Sequence, residues 1–202
     1  MIPFALQYII VLISTLVLSA VATPLVRFLS FKIGAVDNPN ARRINKVPMP
    51  TAGGLAVFIA FAVSVLGFLP GIIKHLNVDG VYIHYVFPLV VAGGIIIVTG
   101  LIDDVKELKP LPKLSGILIA ATIIWLWTDF RFDDFKIPFG GPLIHFPSWV
   151  SFFLTVLWIV AITNAINLID GYNGLAAMVS AGIALCLGFV GYLLGDSFMV
   201  VS

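Results

Sequence analysis

The sequence predicts an all-α protein, a polytopic transmembrane helix bundle of about six helices with its N-terminus outside. Three observations predict it. Only 10% of the 202 residues are charged and 60% are hydrophobic, against about 25% charged in an ordinary soluble domain. Mean hydropathy is +1.12, more apolar surface than one core of this length can hide. The apolar residues also fall into continuous runs, roughly Leu6–Leu29, Ala52–Leu69, Tyr85–Ile102, Leu114–Trp127, Trp149–Ile166 and Leu175–Leu194. Most approach the ~20 residues that cross a ~30 Å hydrocarbon layer, and Leu114–Trp127 must borrow flanking residues to do so. Continuous rather than alternating runs argue against a β-barrel.

The first run ends near Ala20-Val21-Ala22, which resembles a signal-peptidase site. Met1 to Gln7 holds no Lys or Arg, so the basic start of a signal peptide is missing and the helix is expected to be retained. Basic residues set the orientation. With the N-terminus outside, Arg27, Lys32, Arg42, Arg43, Lys46, Lys106, Lys109 and Lys113 lie inside, and Lys74, Arg131 and Lys136 outside. That imbalance satisfies the positive-inside rule. It places Phe31–Thr51, Asp103–Lys113 and the Asn164–Gly174 region together in the cytoplasm.

The outer segments read as blander. Asp129–Ser148 holds Gly140-Gly141-Pro142 between two short β-prone pieces, the pattern of a small hairpin. His75, His84 and His145 fall on this side without a second ligand at metal spacing, so an interfacial role is expected of them. Cys186 offers neither disulfide nor zinc spacing and reads as a small core hydrophobe. A net charge of +1 gives no global field for nucleic acid. No repeat or linker divides the chain, so residues 1–202 are expected to form one transmembrane domain. Phe198 to Val201 looks like a helix cut short, which predicts truncation at the C-terminus.

Three inner segments could carry chemistry. Asp103 and Asp104 follow directly on an apolar run. The C-terminal end of a helix is partially negative, and adjacent carboxylates repel. A lysine or a divalent cation is therefore expected beside them, unless they simply begin a solvated loop. Asp37 to Gly54 is a loop by its prolines and asparagines. Arg42, Arg43 and Lys46 in it could hold phosphate or merely touch lipid head groups. Asn164, Asn167 and Asp170 are spaced by three and would form one polar stripe on a helix. Such groups need partners in an apolar setting. A nucleotide would supply them, and so would neighbouring helices. Taken together, basic residues, paired carboxylates and an amide stripe suit a phosphorylated substrate with Mg²⁺.

At these residues the sequence resembles the polyprenyl-phosphate N-acetylhexosamine-1-phosphate transferases. The matching pieces are Asp37-Asn-Pro-Asn-Ala-Arg-Arg with Pro48-Met-Pro-Thr-Ala-Gly-Gly54, Gly100-Leu-Ile-Asp-Asp104 with Lys113-Leu114, and Asn164-Ala-Ile-Asn-Leu-Ile-Asp-Gly171 with Gly174. The first loop is closer to the N-acetylglucosamine branch, which serves teichoic-acid and lipopolysaccharide O-antigen synthesis, than to the muramoyl-pentapeptide branch. The resemblance implies a bacterial plasma-membrane enzyme that transfers N-acetylglucosamine-1-phosphate from UDP-N-acetylglucosamine to undecaprenyl phosphate and releases UMP. It implies Mg²⁺, with Mn²⁺ as a substitute, and leaves a homodimer open. By position, Asp103 and Asp104 would be metal and catalytic carboxylates and Asp170 a further catalytic one. Asp37, Arg42, Arg43, Lys113, Asn164, Asn167 and Asn173 would bind substrate.

Asn173 and Asn45 stand where the family usually has aspartate and histidine. The family's later Gly-Asp-x-Gly-Ser and histidine-rich segments have no counterpart here, so residues 1–202 alone are expected to be inactive. A small cation carrier is the rival reading. Apart from Arg27, near the inner end of the first run, the runs hold no charged residue away from their ends, which argues against an ion path.

Overall fold

The structure, a computed structural model, describes residues 4–37, 47–76, 82–106, 108–137, 139–169 and 174–194. Six α-helices account for most of them: α1 Phe4–Ile33, α2 Gly53–Leu76, α3 Phe87–Lys106, α4 Pro110–Trp127, α5 Ser148–Ile169 and α6 Leu175–Leu194. Five apolar stretches within the described residues are long enough to cross a membrane: Ile9–Ile33, His84–Lys106, Pro110–Trp127, Ser148–Ile169 and Leu175–Leu193. In α2 the shorter stretch Gly53–Gly67 is apolar. This is the predicted all-α multi-pass membrane protein. Large apolar side chains point outward along the helices, among them Leu12, Leu16, Val21, Phe153 and Leu185. Only lipid or further apolar protein can cover such faces.

The helix ends follow local chemistry. α1 runs through Pro24, as membrane helices tolerate when nearby groups satisfy the freed backbone. It stops at Gly34, whose φ of 80° suits the left-handed cap that glycine adopts at least cost. The Ala35 amide then donates back to the Ser30 carbonyl at 3.0 Å, the Schellman closure. Immediately beyond, β1 Val36–Asp37 pairs antiparallel with β2 Met49–Pro50, a two-residue ribbon inside a segment expected to be irregular. It forms because Thr51 also donates to Ala35 at 3.1 Å, clamping the loop at its base. A π-helical turn, Tyr82–Val86, leads into α3; nothing in the apolar pattern announced it. α4 does borrow flanking residues, starting on Pro110 at its first position, where proline has no amide to waste.

Helix pairing fixes two ends of the bundle. At one end Val26, Ala35, Ala52 and Ala56 are buried together with Leu101 packed against them, joining α1, α2 and the last turns of α3. α3 and α4 then run back as an antiparallel hairpin. Ala92, Ala120 and Ile124 form their shared core, with Ile159 of α5 against it. The other end carries β3 Asp134–Lys136 and β4 Leu143–His145, paired Phe135 to Ile144. This is the hairpin expected around Gly140-Gly141-Pro142, with Gly140 at φ 88°.

Candidate active site

Asp103 and Asp104 occupy the last turn of α3, three and two residues before it ends at Lys106. Lys113 lies in the first turn of α4. The short connection folds them onto each other: Lys113 Nζ sits 2.7 Å from Asp103 Oδ2. The second oxygen of Asp103, Oδ1, accepts the Leu108 amide at 3.0 Å. Asp103 thus both closes the turn and holds the lysine, with side-chain exposures of 21% and 32% for the two partners. The positive group expected beside the carboxylates is a lysine one helix away. A pair this exposed to solvent contributes about 0–1 kcal/mol, as surface pairs do. Asp104 is exposed on the same turn.

The other predicted site residues are placed unequally. Asp37 lies in β1 at the base of the first loop, with Oδ1 withdrawn from solvent. Asn164 is half-buried near the end of α5, and its Nδ2 donates to the Val160 carbonyl at 2.8 Å. Asn167 is exposed one turn further on. The Asn164 bond runs along its own helix, so the amide stripe is tethered to α5 rather than to the Asp103–Lys113 pair. Arg42, Arg43, Lys46, Asp170 and Asn173 lie outside the described residues. Among the described residues, no group of three or more His, Cys, Asp or Glu side chains gathers as a ready metal cage. Adjacent Asp103 and Asp104 nevertheless provide the hard oxygen donors that Mg²⁺ takes one or two at a time, completing its shell with water and substrate phosphates.

The opposite end is far from bland. Trp125 Nε1 donates to Ser151 Oγ at 3.0 Å, and Ser151 Oγ donates to Asp133 Oδ1 at 2.8 Å. Arg131 Nε donates to Asp133 Oδ2 at 2.7 Å, and its guanidinium lies 5.9 Å from the Trp125 ring centroid. Tyr85 donates to Asp129 at 2.8 Å, and the Phe132 amide to Thr155 at 3.0 Å. These bonds tie α3, α4 and α5 together. Hydrogen bonding by Ser151, aided by Arg131, holds the Asp133 carboxyl below its ordinary range against the opposing effect of burial. The only hint of this in the sequence is Asp129-x-Arg131-x-Asp133, with a tryptophan before it. Beneath the network an apolar cavity of about 510 Å³ is lined by Leu89, Ile96, Ile124, Phe132, Trp158 and Ile159.

Fold and site together define a multi-pass membrane protein that holds an acidic–basic cluster at one end of its helices. The family model "Glycosyl transferase family 4" matches residues 85–202, and the chain belongs to that family. It is thereby a member of the polyprenyl-phosphate N-acetylhexosamine-1-phosphate transferases that its motifs resemble. A "Probable undecaprenyl-phosphate N-acetylglucosaminyl 1-phosphate transferase" of Bacillus subtilis is 36% identical over 100% of this chain and 52% of its own length. A "Decaprenyl-phosphate N-acetylglucosaminephosphotransferase" of Mycolicibacterium smegmatis is 37% identical over 85% of this chain and 42% of its own. A "Phospho-N-acetylmuramoyl-pentapeptide-transferase" of Desulforudis audaxviator is 29% identical over 98% of this chain and 64% of its own. The chain thus spans about half the length of the first two relatives. No solved structure matches it.

Proposed function

We propose that the whole protein transfers N-acetylglucosamine-1-phosphate from UDP-N-acetylglucosamine to a polyprenyl phosphate, undecaprenyl phosphate in the first instance, and releases UMP. One observation carries this: Asp103 and Lys113 meet at 2.7 Å where two apolar helices end. A lipid-anchored phosphate and a soluble nucleotide can both reach such a place. The names of the relatives support the sugar and the acceptor. Teichoic-acid or surface-polysaccharide synthesis is the process that would use the product.

The chemistry suits these residues. A phosphate monoester has a second pKa near ~6, so the acceptor is mostly a dianion at neutral pH. One of its oxygens bonds to the β-phosphorus of the UDP-sugar as the bond from that phosphorus to the bridging oxygen breaks. UMP leaves with the bridging oxygen and the electron pair. The nucleophile needs no proton removed. The barrier lies in bringing a dianion to a diphosphate, and fixed positive charge lowers it. Lys113 supplies such charge, and the first-loop Arg42 and Arg43 would add to it. Asp103 keeps Lys113 in place. Asp103 and Asp104 would hold Mg²⁺, which when bound neutralises phosphate charge. In this reading the site faces the cytoplasm, where nucleotide sugars are made, and the membrane is the bacterial plasma membrane. Asp170, Asn164, Asn167 and Asn173 would receive the nucleotide.

The test is to incubate full-length protein with labelled UDP-N-acetylglucosamine, undecaprenyl phosphate and Mg²⁺. Labelled lipid and one equivalent of UMP are expected. Labelling only from a muramoyl-pentapeptide nucleotide would move the protein to the other branch, and no labelling from either would end the transferase reading.

A further inference from the structure

Thr99 lies four residues before Asp103, and Gly116 three residues after Lys113. On a helix these spacings put each residue on the same face as its partner, one turn deeper. The two deeper residues touch. A Cβ built on Gly116 would lie 2.2 Å from Thr99 Oγ1, 2.7 Å from its Cγ2 and 2.8 Å from its Cβ. No real side chain fits there. Thr99 cannot swing clear at no cost, because its hydroxyl donates to the Ile95 carbonyl at 2.7 Å. Gly116 is buried and is followed on the same face by Ala120, which is 1% exposed. α3 and α4 are therefore in close contact one turn beneath the ion pair.

We infer that the Thr99–Gly116 contact is the positioning device of the site: it sets the α3–α4 separation that lets Lys113 reach Asp103. Neither residue touches substrate. α3 ends at Lys106 and α4 begins at Pro110, but a short turn limits separation without fixing it. A close-packed contact one turn away fixes it, because cores are not continuously deformable. A shift of 1 Å at such a site can lower turnover by about 10²-fold. The consequence for catalysis rests on the transferase reading; the consequence for the ion pair does not.

The experiment separates the two. In full-length protein, the melting temperatures of Asp103→Asn, Lys113→Gln and the double variant give the coupling between the charges, as non-additivity. The coupling is expected to be present with Gly116 and lost with Gly116→Ala. It is expected to return when Thr99→Gly is added to Gly116→Ala, which exchanges the sizes across the contact. Gly93→Ala serves as control, since its Cβ would meet only the Phe58 ring, at 2.9 Å. It is expected to lower the melting temperature and leave the coupling intact, as any merely structural change would. If Gly116→Ala alone does not fold, the size-exchanged pair carries the test. Coupling that survives Gly116→Ala, or is absent from a folded size-exchanged pair, overturns the inference. Turnover is expected to follow the coupling, down about 10²-fold in Gly116→Ala and recovered in the pair. If wild-type protein shows the coupling pattern but no turnover, the transferase reading fails and the positioning inference stands.

Discussion

Lys113 Nζ lies 2.7 Å from Asp103 Oδ2 across the turn between α3 and α4. The same carboxylate caps that turn through the Leu108 amide at 3.0 Å. One side chain thus closes the helix connection and aims the cation. The two roles give different outcomes when each partner is changed.

Replacing Lys113 with Met removes charge but leaves the cap. Stability is expected to fall by no more than about 1 kcal/mol. Turnover is expected to fall about 10²–10³-fold, the usual effect of losing one preorganised electrostatic group. Chemical denaturation and UMP release, measured on the same preparation, check this. A large loss of stability with little loss of turnover would make Lys113 structural only.

Asp104→Asn is expected to raise the Mg²⁺ concentration needed for half-maximal turnover and to lower the maximum. Asp103→Asn is expected to do this and also to destabilise, because it weakens the cap. A Mg²⁺ titration of each variant is the measurement. Near-normal turnover at unchanged Mg²⁺ demand in Asp104→Asn would remove that residue from the site.

The two ends of the bundle are expected to face different compartments. After Cys186 is replaced by Ser, a cysteine at position 136 should react with an impermeant maleimide in intact cells. A cysteine at position 106 should react only after the cells are opened. The reverse pattern would put the carboxylate end outside, away from nucleotide sugars.

At the hairpin end, the Ser151 hydroxyl holds Asp133 below its ordinary range. A carboxylate with a lowered folded pKa stabilises the fold above its unfolded value, about 3.9. That contribution is lost as pH falls through the lower folded value. Melting temperature is therefore expected to drop as pH falls below about 4 for the Asp133 part of the acid response. Asp133→Asn, and to a lesser degree Ser151→Ala, should flatten that drop. An unchanged acid profile in Asp133→Asn would show that other carboxylates govern it.

Length and hydropathy were enough to place the helices, because the cost of an apolar run in water does not depend on its neighbours. That α4 must borrow flanking residues and that the outer loop turns at Gly140 were legible too; the start on Pro110 was not read. The adjacency of Asp103 and Asp104 also marked a candidate site without coordinates, since such charges at a helix end demand compensation. Lys113 was grouped with the pair in the sequence, but spacing alone did not show a direct contact; the antiparallel return of α4 brings Lys113 onto Asp103. The Asp133–Ser151–Trp125 chain escaped notice for the same reason, since its members come from three separate segments. Local propensity acts over a few residues and can be read along the chain. Contacts such as Thr99 with Gly116 depend on how two helix faces pack, and packing exists only once the helices have met.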